Sequence, residues 1–208
     1  MLFKNVIIEP HYFPCLEYFQ ALYYSEEVIL EVWENFQKQN YNNRTCILSA
    51  NGPLALSVPL HKSSKMPYKE IKIDYSQDWI SNHWRAITSA YGNSPFFEHY
   101  FAIIKELIHE KHTYLLDLNL SIMSNCLELL GWQINLSCTL EYSKQLQEGI
   151  TDLRSAIHPK KDSILEFKLP SISYTQVFGR EFVKNLSIVD LLFCEGPNAG
   201  YKLTGKED

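Results

Sequence analysis

Val6-Ile-Ile-Glu-Pro-His-Tyr-Phe-Pro-Cys-Leu-Glu-Tyr-Phe19 is the stretch around which the chain is organised. Val6 to Glu9 read as a short buried strand, because β-branched runs suit a covered, pleated surface. Pro10 ends it, since proline has no N–H for the ladder and restrains the residue before it. Pro14 then opens a helix in which Leu16, Phe19, Leu22 and Tyr23 recur at spacings of three, four and seven. His11, Tyr12 and Phe13 lie between the prolines, on a turn at the mouth of a strand, where open α/β sheets carry ligand groups.

The chain has 208 residues, 46% hydrophobic and 13% aromatic, which suits one well-packed domain and excludes a disordered chain. A net charge of −5 argues against general nucleic-acid binding. No apolar run approaches the roughly 18 residues that suggest a transmembrane segment. The amino terminus has no small-residue cleavage site, so a cytoplasmic protein is expected. Cys15, Cys46, Cys126, Cys138 and Cys194 form no Cys-x-x-Cys pair and read as reduced, mostly buried thiols. The Asn-x-Ser/Thr triplets at Asn43, Asn119, Asn135 and Asn185 carry little meaning without a secretory signal.

Strand and helix signals interleave along the rest. Glu27–Glu34 reads as a second strand, and Gln37–Arg44 as a polar loop. Thr45–Ser49 and Leu54–Pro59 read as a hairpin around Asn51-Gly52. His61–Lys72 is a basic loop, either solvated surface or an anion-binding rim, running into a strand at Glu70–Ile73. Asp78 and Ser94-Pro95 are predicted to start helices, the first ending at Gly92, with core faces through Ile80, Trp84, Ile87 and Tyr91 and through Phe97, Phe101, Ile104 and Ile108. His109 and His112, near the second carboxyl end, complement the helix dipole better than they suggest a metal site. The next helix ends at Gly131 and has Asn119 in its apolar arc, where the amide needs a partner in a neighbouring loop or in a ligand.

Trp132–Leu140 reads as a strand, Asp152–Ile157 as a helical patch, and Leu165–Leu169 and Ser171–Tyr174 as short extended segments. Ser187 and Asp190 have capping-box spacing before a last helix that Gly196-Pro197 terminates. The fold expected is mixed α/β: a single domain over residues 1–198, with a sheet flanked by helices, a helical block in the middle of the chain, and a frayed polar tail over 199–208.

With Pro10, Tyr12 and Pro14 in step, the opening resembles the WbqC-like protein family, whose members begin with an apolar strand and His-Gln-Pro-x-Tyr-x-Pro-Trp. Ile8-Glu9 stands where that family has His-Gln, and Cys15 where it has Trp, so no role for the family's first histidine carries over. The resemblance continues through Asn43-Arg44, Leu56–Pro59, Trp84–Tyr91, Leu116–Asn119 and Leu130-Gly131. It is most specific at Tyr174-Thr-Gln176, Phe182-Val183 and Asn185–Phe193. Family members look like components of surface-polysaccharide and O-antigen gene sets. The resemblance therefore implies chemistry on nucleotide-linked sugars or their acyl donors, and brings no catalytic residues with it.

The residues themselves show no nucleotide-binding glycine motif, nucleophile elbow, Walker loop or zinc spacing, and they indicate no cofactor. Glu9 and His11 are the acid–base candidates, because a carboxylate beside an imidazole orients it and holds it near neutral pH; a structural contact is the competing reading. Lys38, Asn43 and Arg44 form an anion-binding candidate, against which stands a surface salt bridge. Tyr12 lies on the same turn as His11, while Tyr174 and Gln176 offer stacking and hydrogen bonds to a sugar, unless Tyr174 is core. Glu9, His11, Lys38, Asn43 and Arg44 are expected to converge on one pocket. The functions considered are a sugar-modifying transferase that takes an anionic small molecule, a nucleotide sugar or acyl carrier, and a non-catalytic sugar-nucleotide or protein-binding module.

Overall fold

β1 (Phe3–Ile8), α1 (Leu16–Tyr23) and β2 (Ser25–Leu30) form a parallel β-α-β unit with Val6 opposite Val28 and Ile8 opposite Leu30. The computed structural model describes residues 2–61, 65–160, 165 and 168–205. β6 (Ile150–Asp152) pairs with the other side of β1, and β5 (Leu136–Cys138) with the outer side of β2. The sheet order is β5-β2-β1-β6, all strands parallel, so β1 is interior as its sequence predicts. Val6, Ile7 and Ile8 are all buried, because a parallel strand covered on both faces shows a continuous apolar run instead of alternation.

A separate antiparallel hairpin joins β3 (Arg44–Ser49) to β4 (Gly52–Ser57). Its two-residue loop is Ala50-Asn51, between paired Ser49 and Gly52; the glycine supplies a φ of 99°. The helical block comprises α2 (Trp79–Tyr91), α3 (Phe97–His109) and α4 (Leu115–Leu129). α5 (Ile188–Glu195) and α6 (Ala199–Thr204) complete a mixed α/β fold around one hydrophobic core. Among the described residues no helix is long and apolar enough to cross a membrane.

Several local expectations fail for identifiable reasons. β2 stops at Leu30 instead of Glu34, and in place of the strand predicted over Glu70–Ile73 a 3-10 turn (Tyr68–Glu70) is followed by isolated bridges at Lys72 and Ile73. Ile150–Asp152 is a strand and the following residues are turn, so the helical patch is absent: pairing with β1 overrides the local pattern. Asp78 makes no side-chain cap, and Ser94 donates to the Tyr91 carbonyl at the end of α2 instead of starting α3. The buried line of α2 runs through Trp79, His83 and Ile87, with Ile80 and Trp84 only partly buried. No strand forms over Ser171–Tyr174, and most of 161–167, like Lys62–Ser64 of the basic loop, lies outside the described residues.

The stretch after Ala199 is not simply frayed. α6 buries Leu203, while Gln20 donates to the Leu203 carbonyl and Tyr24 to that of Thr204. The five cysteines are free; burial raises the Cys15 and Cys126 thiols to about 12, which keeps them protonated and inert. His109 bonds the Lys105 carbonyl and His112 lies 3.2 Å from Glu110. No group of three His, Cys, Asp or Glu side chains that could hold a metal ion occurs among the described residues.

Candidate functional site

Parallel pairing fixes what emerges from the sheet at its carboxyl end. Ile8 and Leu30 are partners, so Glu9 and Glu31 leave β1 and β2 side by side, with the Glu31 N–H donating to the Ile8 carbonyl at 2.9 Å. Ile7 faces Asp152, which ends β6, and Thr139 follows β5. All four strands thus deliver a polar side chain to one rim, the place where open parallel sheets hold ligands.

The rim groups hold one another. Arg154 clasps Asp152 with Nε–Oδ1 and Nη2–Oδ2 distances of 2.9 and 2.7 Å, donates from Nη1 to the Ser143 carbonyl, and lies 3.6 Å from Glu31 Oε2. This pairing lowers the Asp152 carboxyl and raises the Arg154 guanidinium. Glu31 Oε1 accepts from the N–H groups of Trp33 and Glu34 and from the Thr139 hydroxyl, whereas its buried Oε2 accepts no hydrogen bond. Both oxygens of Glu9 face the Ser155 N–H at 3.1 Å. Ser155 has a φ of 55°, so the turn after β6 folds back over Glu9.

His11 stands directly behind. It is 1% exposed, its ring lies 4.7 Å from Tyr18 and 5.6 Å from Tyr41, and Nε2 is 3.5 Å from Glu9 Oε1. Neither ring nitrogen has a hydrogen-bond partner. A buried imidazole without partners is costly, by about 1–3 kcal/mol for each unmet group, and such exceptions need a reason.

In front of Glu9 is a small cavity open to solvent, walled by Glu9, Glu31 and Glu34 and by Asn40, Asn42 and Tyr68. Burial, then the neighbouring Glu9, raises the Glu34 carboxyl. Asn42 donates to the Pro10 carbonyl and Asn40 pairs with Asn42, which ties this wall to the turn carrying His11. Asn119 on α4 donates to the Asn42 carbonyl and to the Tyr68 hydroxyl, each at 2.6 Å, so its partner is a neighbouring loop. The Tyr68 phenol is raised by burial and keeps its own proton to donate.

The predicted site residues divide. Glu9 lines this cavity, His11 backs Glu9, and Lys38 is exposed on the wall loop between Gln37 and Asn40. Tyr12 is core: its hydroxyl lies 3.0 Å from His83 Nδ1. Asn43 bonds the Val58 carbonyl, and Arg44 begins β3 with Nε 3.1 Å from the Ser57 hydroxyl, so both serve the hairpin and neither lines the cavity. Tyr174 and Gln176 belong to a second cluster around buried Asp190, which also accepts from Tyr91 at 2.7 Å. Burial raises the Asp190 carboxyl. No sequence pattern singles out Glu34, Asn40, Asn42, Tyr68, Arg154 or Ser155; for Glu31 the usable signal is an acid immediately after Val28-Ile29-Leu30, the same arrangement as Glu9 after β1.

Among proteins of known sequence, the chain is 26% identical over 152 residues to the uncharacterised protein Rv1507c of Mycobacterium tuberculosis (strain ATCC 25618 / H37Rv), a match covering 72% of this chain and 64% of that protein. The chain thus spans under two thirds of that relative's length. No solved structure matches. The WbqC-like protein family matches over residues 9–161 and 153–202, beginning at Glu9 on the rim and taking in the cavity wall, the Arg154 turn and α5. The chain belongs to the WbqC-like protein family.

Proposed function

We propose that the chain is a sugar-modifying transferase of surface-polysaccharide or O-antigen biosynthesis, moving an acyl or aminoacyl group onto a nucleotide-linked sugar. The observation that carries this is the buried His11, both nitrogens unpartnered, set 3.5 Å behind a carboxylate that lines a cavity at the carboxyl end of a parallel sheet. A wall of carboxylates, amides and a phenol matches the hydroxyl-rich end of a sugar. Lys38 lies on the exposed loop beside the cavity and Lys160, from the segment after β6, bonds Gln39 of that loop, so both are cations for a diphosphate bound next to the cavity.

In this scheme a sugar hydroxyl or amine attacks the carbonyl carbon of a thioester or acyl phosphate. The new C–O or C–N bond forms, the bond to the leaving group breaks, and Glu9 takes the nucleophile's proton. His11 touches Glu9 and not the cavity, so it acts as a positioning residue that fixes and stabilises the carboxyl.

Transfer from acyl donors to a panel of nucleotide sugars, followed by mass spectrometry, tests the proposal with wild type, Glu9→Gln and His11→Asn. Glu9→Gln is expected to keep nucleotide-sugar affinity within threefold while losing turnover by about a hundredfold or more, the usual scale for a lost general base. A wild-type chain that binds a nucleotide sugar and turns over no donor is instead a non-catalytic binding module.

A further inference from the structure

We infer that Tyr68 binds the oxygen of a sugar hydroxyl whose proton Glu9 takes, so that the transfer makes an ester and not an amide; this rests on reading the same cavity as the transfer site. Tyr68 is 3% exposed, and its hydroxyl accepts a 2.6 Å hydrogen bond from Asn119 Nδ2. The same nitrogen gives its other proton to the Asn42 carbonyl, also at 2.6 Å. A carbonyl only accepts, so the amide is not free to flip, and Asn119 keeps this orientation although its buried Oδ1 receives no donor. One lone pair of the Tyr68 oxygen is thereby filled, and the phenol proton is turned away from Asn119. Among the described residues nothing accepts that proton, yet Tyr68 walls the cavity alongside Glu9. Burial, and beyond it the charge of Glu9, keeps the phenol protonated and therefore a donor.

Glu9 offers the complementary half. It is buried, and both of its oxygens face the Ser155 N–H, so as a carboxylate it presents acceptors only. The amide donors of the wall are spent, Asn42 on the Pro10 carbonyl and Asn40 on Asn42. A ligand atom held between Tyr68 and Glu9 meets a donor on one side and an acceptor on the other. A hydroxyl satisfies both at once. Its oxygen has two lone pairs, one to accept from Tyr68 and one left to attack. An amine fails in both of its forms. As an ammonium it has no lone pair and sets an N–H against the phenol proton; as a neutral amine its single lone pair cannot both accept and attack.

The chemistry then balances. The sugar oxygen, held by Tyr68, attacks the carbonyl carbon of an acyl thioester. The C–O bond forms and the C–S bond breaks, while the hydroxyl proton passes to Glu9, which returns it to the departing sulfur. Tyr68 keeps its own proton throughout and orients the nucleophile; Asn119 is the positioning residue behind it.

The test is calorimetry with UDP-glucose, its 2-deoxy, 3-deoxy, 4-deoxy and 6-deoxy analogues and the corresponding amino analogues, on wild type and Tyr68→Phe. At one position the deoxy and amino analogues are both expected to bind about tenfold or more weakly than UDP-glucose, because a site built to bond a hydroxyl rejects an analogue without it. In Tyr68→Phe that discrimination should shrink to under about threefold, a change that a merely structural tyrosine would not produce. Should Tyr68→Phe fail to fold, the wild-type series alone decides. Deoxy analogues that all bind as well as the parent, amino analogues that bind more tightly, discrimination unchanged in Tyr68→Phe, or no binding by any of them overturns the inference. Transfer from acetyl-coenzyme A, assayed in parallel, separates the two proposals. Hydroxyl discrimination through Tyr68 without turnover leaves the hydroxyl site standing and removes the transferase; amide formed from an amino analogue as fast as ester from its parent does the reverse.

Discussion

His83 gives a quantitative handle on the turn that carries the site. It is buried in α2, with Nε2 3.2 Å from the Ser57 carbonyl and Nδ1 3.0 Å from the Tyr12 hydroxyl. A carbonyl only accepts, so Nε2 carries the proton, Nδ1 is the acceptor and Tyr12 donates. Burial lowers the histidine from 6.5 to about 4, so it stays neutral in the folded chain. A depressed histidine contributes full stability above the unfolded value and loses it as pH falls, because only the unfolded chain takes up the proton. Integrating from pH 7 to pH 5 gives a loss of about 2 kcal/mol from this residue. Gln keeps a donor and an acceptor without titrating, so His83→Gln should reduce the pH 7-to-5 fall in urea-unfolding free energy by about that amount. Equal falls in wild type and variant would refute both the neutral assignment and the direction of Tyr12's hydrogen bond.

Asn119→Ala removes two hydrogen bonds and strands the buried Asn42 carbonyl; the expected loss is about 3 kcal/mol, read as a melting temperature lower by roughly 6–12 °C. Gly196 ends α5 at a φ of 56°, and a Cβ there would collide with the Phe96 ring, so Gly196→Ala should cost at least about 2 kcal/mol in denaturant titration. Arg44→Ala should leave nucleotide-sugar affinity within twofold in calorimetry, since the guanidinium bonds Ser57, whereas a combined Lys38→Ala and Lys160→Ala change should weaken it and flatten its salt dependence. A large loss in Arg44→Ala would return that residue to the site.

What was legible follows from how far each signal reaches. The Val6–Ile8 run and the two prolines specify β1, the turn and α1 within a few residues, because a doubly covered strand is continuously apolar and proline acts locally. Ser187 caps α5 as its spacing indicates, accepting from the Val189 N–H. Asp190, three residues on, instead faces Tyr91 and Tyr174, a pairing that no local spacing encodes. β6 is only Ile150-Thr-Asp152 inside a polar stretch, stabilised by the interior strand beside it, so its existence is a tertiary fact. The site inherits the same division. Glu9 and His11 are visible as a pair two apart, but Arg154 and Ser155 reach them only through β6. Glu31 is hidden because the strand pattern runs on to Glu34 while β2 ends at Leu30, so the sequence sets a rim acid inside a strand.

The turn between the prolines is held from both ends of the chain. Phe13 is 1% exposed with a φ of 39°, a conformation that disfavours a bulky side chain by about 1–3 kcal/mol and persists only where its surroundings impose it. Its carbonyl accepts from the Thr45 hydroxyl at 2.8 Å and the Ser187 hydroxyl at 3.1 Å. The Pro14 carbonyl accepts from the Ile188 N–H, the Leu186 carbonyl from the Leu16 N–H, and the Asn185 side chain from the Glu17 N–H. Each of these bonds takes the turn's geometry from β3 or from the start of α5, not from its own sequence. The two stretches with the most distinctive residue order, around Pro10–Pro14 and Asn185–Phe193, are therefore one structural unit. With Asn42 fixing the Pro10 carbonyl on the other side, Glu9 is positioned by β1 behind it and by three distant segments in front, which is the rigidity that a small cavity requires of a carboxylate in its wall.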